Sequence, residues 1–233
     1  MCMRGKVKLL LGVLFVMSGI GVASSVQAQP NRLNHWVQYT GVYWFNPQWA
    51  LNANLQYRTY KPFKDPRVGF VGAEVQHLFK DLPIMLGAGY AHLFNRNYIT
   101  PEETNLTNED RFYQQITLRG NLGKVGITHR YQVEERWLTQ GYHTRLRYLV
   151  ALRLPLGPKN QEVRPWYGIV RNEVRVIIRD QPFDSNRVFG GIGYTFNKHF
   201  TLEGMWMSQL AGGGNHQHFT MFVLRHDFGR MEE

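Results

Sequence analysis

The chain has 233 residues, 43% of them hydrophobic and 14% aromatic, with a formal net charge of +10 and one cysteine. That length suits one domain or at most two. The apolar share excludes wholesale disorder, a lone cysteine excludes a disulfide scaffold, and no internal stretch approaches the roughly 20 apolar residues of a membrane-spanning helix. A mean hydropathy of -0.36 resembles that of a soluble globule, and the positive charge invites a nucleic-acid partner until the N-terminus is set aside.

The first 28 residues have the order of a secretory signal. Arg4, Lys6 and Lys8 form a positive head, and Leu9 to Val16 form an apolar core. Val26-Gln27-Ala28 supplies the small-residue pattern for cleavage before Gln29. The apolar run is short and broken by Ser18, Gly19 and Gly21, which argues against a retained anchor. Cys2 precedes the apolar core, is misplaced for lipid attachment and leaves with the signal. The expected organisation is a signal peptide over 1–28 and one domain over 29–233. Cleavage removes three basic residues and leaves 24 against 17 acidic, a balance of +7. An exported basic chain is not expected to meet nucleic acid, and anionic lipid headgroups or small anions fit it better.

From His35 to Phe228 the hydrophobic pattern has a period of two, and no long segment has helical spacing. In chain order the predicted strands are 33–45, 49–61, 67–79, 84–96, 111–122, 125–138, 143–156, 164–179, 187–197, 199–210 and 216–228, eleven in all. In the second, Trp49, Leu51, Ala53, Leu55 and Tyr57 oppose Gln48, Asn52, Asn54, Gln56 and Arg58. In the fifth, Phe112, Ile116 and Leu118 oppose Tyr113, Gln115, Thr117 and Arg119. In the sixth, Val125, Ile127, Tyr131, Val133 and Trp137 oppose Thr128, Arg130, Gln132, Glu134 and Arg136. In the seventh, Leu146, Tyr148, Val150, Leu152 and Leu154 oppose Arg145, Arg147 and Arg153.

Strands of soluble sheets centre near five or six residues, whereas a tilted membrane strand needs roughly 9–11. Most of these segments exceed that length. The connections alternate between short ones (Asn46-Pro47, Lys80 to Pro83, Gly123-Lys124, Pro158 to Glu162, Asn197-Lys198) and longer ones (Pro62 to Pro66, Asn97 to Asp110, Thr139 to Tyr142, Asp180 to Asn186, Ala211 to Asn215). Outer-membrane barrels show such asymmetry. Aromatics crowd the strand ends, with Trp36, Trp44, Phe45 and Trp49 assigned to the first turn and Phe196 and Phe200 to another, as in an interfacial belt. The fold class expected is all-β, a closed antiparallel transmembrane β-barrel of about 10–12 strands. Single-chain bacterial barrels have even strand numbers, so ten or twelve is expected. Either 33–45 is not a full strand or one boundary is misplaced.

These residues carry a likeness to a family. The chain resembles the bacterial outer-membrane barrel family designated domain of unknown function 2490. The carriers are Trp36-x-x-Tyr39, Trp49-Ala50-Leu51 with Gln56-Tyr57-Arg58, Gly87-Ala88-Gly89-Tyr90, Phe112-Tyr113-Gln114-Gln115, and His129-Arg130-Tyr131 with Glu134-Glu135-Arg136. After these come Thr144 to Tyr148 closing on Leu154-Pro155-Leu156, then Arg164-Pro165-Trp166-Tyr167 with Asn172-Glu173, and Asn186 to Tyr194. The final Arg225-His226-Asp227-Phe228 departs from the family's more usual Tyr-Arg-Phe-like ending, and five residues follow Phe228. The resemblance implies a fold and an address in the outer membrane of a Gram-negative bacterium. It implies surrounding outer-membrane lipid and the barrel-assembly machinery as partners during insertion, but no activity.

The densest chemistry is a charge band on the inward face: Arg130, Glu134 and Arg136, then Arg145, Arg147 and Arg153, then Arg171, Glu173, Arg175 and Arg179. Neighbouring strands in phase would bring these side chains about 5 Å apart. A salt-bridge network filling a narrow lumen is the favoured expectation, because unpaired buried arginines are costly. A porin-like, anion-selecting constriction is the alternative, since arginines outnumber acids there. His216 and His218 share a face without a third ligand, so no metal site is expected, and no cofactor is. After the signal only Ser185 and Ser208 could serve as serine nucleophiles, and neither has a flanking signature. No catalytic residue is therefore assigned, and a lipid-modifying enzyme is the outsider. The acidic loop 97–110, with Glu102, Glu103, Glu109 and Asp110, is a possible protein-partner contact among the outer loops. The expected role is a structural or accessory barrel, or a small pore.

Overall fold

The computed structural model describes residues 33–157, 165–178 and 182–230. The signal segment, the 158–162 turn and Arg179 lie outside these residues. Eleven strands form one closed barrel: β1 Leu33–Trp44, β2 Trp49–Lys61, β3 Lys64–Leu78, β4 Ile84–Tyr98, β5 Thr104–Leu122, β6 Val125–Leu138, β7 Gly141–Pro155, β8 Trp166–Ile177, β9 Phe183–Thr195, β10 Phe200–Ala211 and β11 His216–Gly229. A short 3-10 turn at Gly212–Gly214 joins the last two.

The expectation of an even number is wrong. The 33–45 segment is a full strand, and the misplaced boundary, β5 starting at Thr104 instead of 111, adds no strand among the described residues. Consecutive strands pair antiparallel, while β1 and β11 pair parallel from Leu33 opposite His218 to Trp44 opposite Gly229. An odd count can close only through such a parallel seam. It leaves Leu33 and Gly229 at opposite ends of the barrel.

The expected short–long asymmetry is also absent. At the Gly229 end, β7 stops at Pro155 and β8 starts at Trp166, while β5 and β6 are separated only by Gly123-Lys124. At the Leu33 end, β2 and β3 are separated only by Pro62-Phe63. Most of the supposed 97–110 loop is strand, because β4 and β5 stay paired out to Tyr98 opposite Thr104. The Gly123 turn needs a residue tolerant of positive φ, here +61°, which glycine supplies without a Cβ clash.

The period of two decides the wall. Leu146 and Leu152 stand on the outer surface at 42% and 40% exposure, while Arg145 on the same strand is 3% exposed and turned inward. Outer rings form runs at the Gly229 end: Trp166 meets Tyr194 and Tyr194 meets Phe196; Phe200, His226, Phe228, Tyr43 and Phe45 follow one another; Trp49, His77 and Phe79 form a third run. Trp36 and Trp44 do not join them. Trp36 is buried in the lumen, and Trp44 donates its indole N–H to Asp227 at 3.2 Å.

Small residues make room for large inward ones. A Cβ on Gly89 would stand 2.7 Å from the Tyr113 ring, and one on Gly193 would collide with the Tyr167 ring. Gly87, Gly89, Gly191 and Gly193 are thus packing devices for a filled interior.

Candidate functional site

The lumen is the chemically dense part of the molecule, because inward positions on adjacent strands fall in register. Glu134 opposes Arg145 across β6–β7, and Arg147 opposes Arg175 across β7–β8. The guanidinium forks then reach carboxylates of their own and neighbouring strands.

Glu134, completely buried, accepts hydrogen bonds from Arg145 Nε at 2.7 Å, Gln132 Nε2 at 3.0 Å and Arg147 Nη1. Glu173, 2% exposed, accepts from Arg147 Nη2, Arg130 Nη2 at 3.3 Å and Arg187 Nη1 at 3.3 Å. Arg147 therefore spans the lumen face from β6 to β8 and joins both carboxylates. Towards the Leu33 end, Glu109 accepts from Arg136 Nη2 at 2.8 Å and Arg111 Nη2 at 2.6 Å. Asp184 lies 3.3 Å from both Arg145 and Arg175, and Arg175 Nε donates to Ser185 Oγ. Charged donors and bidentate forks of this kind are the strong class of hydrogen bond, and for groups this buried they offset the cost of burying each charge.

Of the nine residues expected from sequence, Arg130, Glu134, Arg136, Arg145, Arg147, Glu173 and Arg175 enter these clusters. Arg171 and Arg153 sit apart, towards the Gly229 end. Arg171 pairs with Glu203, which also accepts from Tyr167 Oη at 3.0 Å. Arg153 lies 3.6 Å above the Tyr167 ring and donates to Thr195 Oγ1 at 3.0 Å. Glu74, Arg111, Asp184, Arg187 and Glu203 were not among the expected network residues, and Glu109, expected in an outer loop, belongs to the network instead. Inward parity was available for Glu74, which alternates with Val71, Ala73 and Val75; it accepts from Gln76 and Gln115 at 3.0 and 2.7 Å.

The opposite wall differs. Arg58 lies 3.8 Å above the Trp36 ring and donates to Gln56 Oε1 at 2.7 Å. Arg67 donates to Asn34 Oδ1 at 3.1 Å and Gln217 Oε1 at 2.9 Å. Neither has a carboxylate within ion-pair distance among the described residues. The Arg58 Nε is buried without a hydrogen-bond partner there.

The remaining candidates do not assemble. Ser208 is opposite His218 on the outward face of β10–β11, but the two share no hydrogen bond among the described residues. Ser185 is held by Arg175 and shares no hydrogen bond with a histidine among the described residues. No group of three or more metal-ligating side chains occurs among the described residues.

The architecture defines a class: a closed eleven-stranded β-barrel with an apolar outer face and a lumen bridged by ion pairs. The family described as Protein of unknown function (DUF2490) matches residues 33–219, and the chain belongs to that family. No curated protein and no solved structure matches the chain.

Proposed function

We propose that this chain is a bacterial outer-membrane barrel with a structural or accessory role, exported by a cleaved signal and closed by its own arginine–carboxylate network. One observation carries this: large apolar side chains stay exposed on the outer face of all eleven strands, and along β5–β7 the charged members of the alternation face in, the reverse of a soluble ligand-carrying barrel. An apolar cluster of Trp36, Phe189, Met205, Met207, Phe219 and Met221 also fills part of the interior. Exposed Leu55, Val71, Val75, Ile116, Leu146, Val170, Val188 and Ile192 would be a severe liability in water, yet they match a hydrocarbon phase. The aromatic runs at the Gly229 end suit an interface. Membrane fractionation with heated and unheated gel mobility tests the assignment: recovery in the outer membrane and a heat-dependent shift are expected. A soluble protein with one mobility would sink it.

The accessory role rests on Arg147 crossing between Glu134 and Glu173. In planar bilayers the wild type is expected to conduct little. Arg147→Met should raise conductance and move selectivity towards cations, since it frees two carboxylates. A second reading, an anion-favouring pore, draws on Arg58 and Arg67, which lack carboxylates. Steady anion-selective conductance by the wild type would establish it over the first. Enzyme activity is not proposed, and lipid hydrolysis abolished by Ser208→Ala would reverse that.

A further inference from the structure

We propose that the mouth of the barrel at the Leu33 end binds a neutral carbohydrate. The β4–β5 hairpin outruns its neighbours there. Pairing with β3 stops at Asn95 and pairing with β6 stops at Glu109, while the hairpin itself continues to Tyr98 opposite Thr104. The inward side chains of this overhang line an open cleft of about 300 Å³ instead of packed lumen. Asn97 is opposite Asn105 and Asn95 is opposite Thr107, and Gln140 of the β6–β7 turn closes the third side. None of these five side chains hydrogen-bonds to another described residue.

The chemistry selects the ligand. Each carboxamide offers two donors and an acceptor, the mixture that vicinal sugar hydroxyls require. The floor is Glu109, whose oxygens are taken by Arg136 and Arg111, and Arg136 spends its remaining nitrogen on His143. The charged groups of the floor thus have their hydrogen bonds filled, and the open positions are the neutral amides. Leu138 is the one apolar side chain in the lining, a narrow strip that suits the C–H face of a sugar ring better than an acyl chain or an apolar peptide side chain. The volume lies at the low end of small-molecule sites and accommodates about one or two sugar rings. The wall is also held in place without a ligand: Asp65 accepts from Arg96 Nη1 at 2.6 Å and Tyr98 Oη at 2.9 Å, and Tyr60 Oη donates to the Arg96 carbonyl at 3.1 Å. Such preorganisation lowers the ordering cost of binding. The site does not depend on which phase surrounds the barrel.

Calorimetric titration of the full chain, in a detergent without a sugar headgroup, tests the proposal. The probes are maltose and chitobiose, a lipopolysaccharide preparation, triglycine and inorganic phosphate. Saturable binding of a disaccharide or of the lipopolysaccharide is expected, weakened about tenfold or more by the double variant Asn97→Ala, Asn105→Ala. Both residues are exposed, so the variant should keep the heat-dependent gel shift of the wild type. Disaccharide binding identifies a free sugar, and lipopolysaccharide binding alone identifies a sugar carried on lipid. Absence of sugar binding, tighter binding of triglycine or phosphate, or an affinity untouched by the double variant would overturn the assignment.

Discussion

Across β5–β9, Glu109, Glu134, Glu173 and Asp184 each sit between two or more guanidinium groups, whereas on β2 and β3 the arginines Arg58 and Arg67 meet rings and amides. The first wall is antiparallel throughout, and the second adjoins the parallel β1–β11 seam. Both hide cations, but only the first has made its carboxylates indispensable. Removing one partner of a buried pair strands the other's charge, while removing a cation that has no pair strands nothing. The two walls should therefore respond oppositely to neutral substitutions of similar size.

The largest effect is expected from Glu134→Gln, which keeps the shape of the side chain but leaves Arg145 and Arg147 short of a countercharge. A loss of about 3–5 kcal/mol is expected, read from the urea midpoint of the folded barrel in detergent. A cost below 1 kcal/mol would mean that the network does not hold this wall. Gly193→Ala probes the same wall through packing, since the new Cβ meets the Tyr167 ring that supports Arg153 and Glu203. A cost of about 1–3 kcal/mol is expected by the same measurement, and no change would mean that the ring can move aside freely.

The seam is a milder case. Parallel pairing is slightly weaker per residue than antiparallel, and here side chains add to it on the outer face. His35 Nδ1 lies 2.7 Å from Thr220 Oγ1, and Tyr39 Oη lies 3.1 Å from His226 Nδ1. Tyr39→Phe should cost about 0.5–1.5 kcal/mol. The seam also fixes topology: in the proposed outer-membrane setting, epitopes placed at the Leu33 end and after Gly229 should be accessible from opposite faces of the membrane. Access from one face would contradict parallel closure.

Much of this was legible in the chain. Alternation placed Arg130, Glu134, Arg145, Arg147 and Glu173 inward, because one face of a long strand must be uniformly apolar for the other to carry charge. The strand over 49–61 was located to the residue. Glu109 was not seen as a network member, because Pro101 and the acidic run around it look like a loop, whereas cross-strand pairing carries β5 back to Thr104. The count of eleven strands already implied a parallel seam, and the rule of even numbers overrode it; periodicity within a strand does not report which edge meets which.

Arg58→Met is the smallest expected change and the sharpest test of the contrast between walls. The guanidinium would lose its stack on Trp36 and one hydrogen bond to Gln56, interactions worth about 1 kcal/mol each. Against that, the charges nearest in effect are other arginines, Arg175 and Arg67 foremost, and its Nε has no partner to lose. A flexible thioether fills similar space without desolvating a charge. The terms nearly cancel, so the urea midpoint should stay within about 1 kcal/mol of wild type, where buried charges replaced by apolar groups are often neutral. A loss as large as that of Glu134→Gln would show that the second wall also depends on its cation.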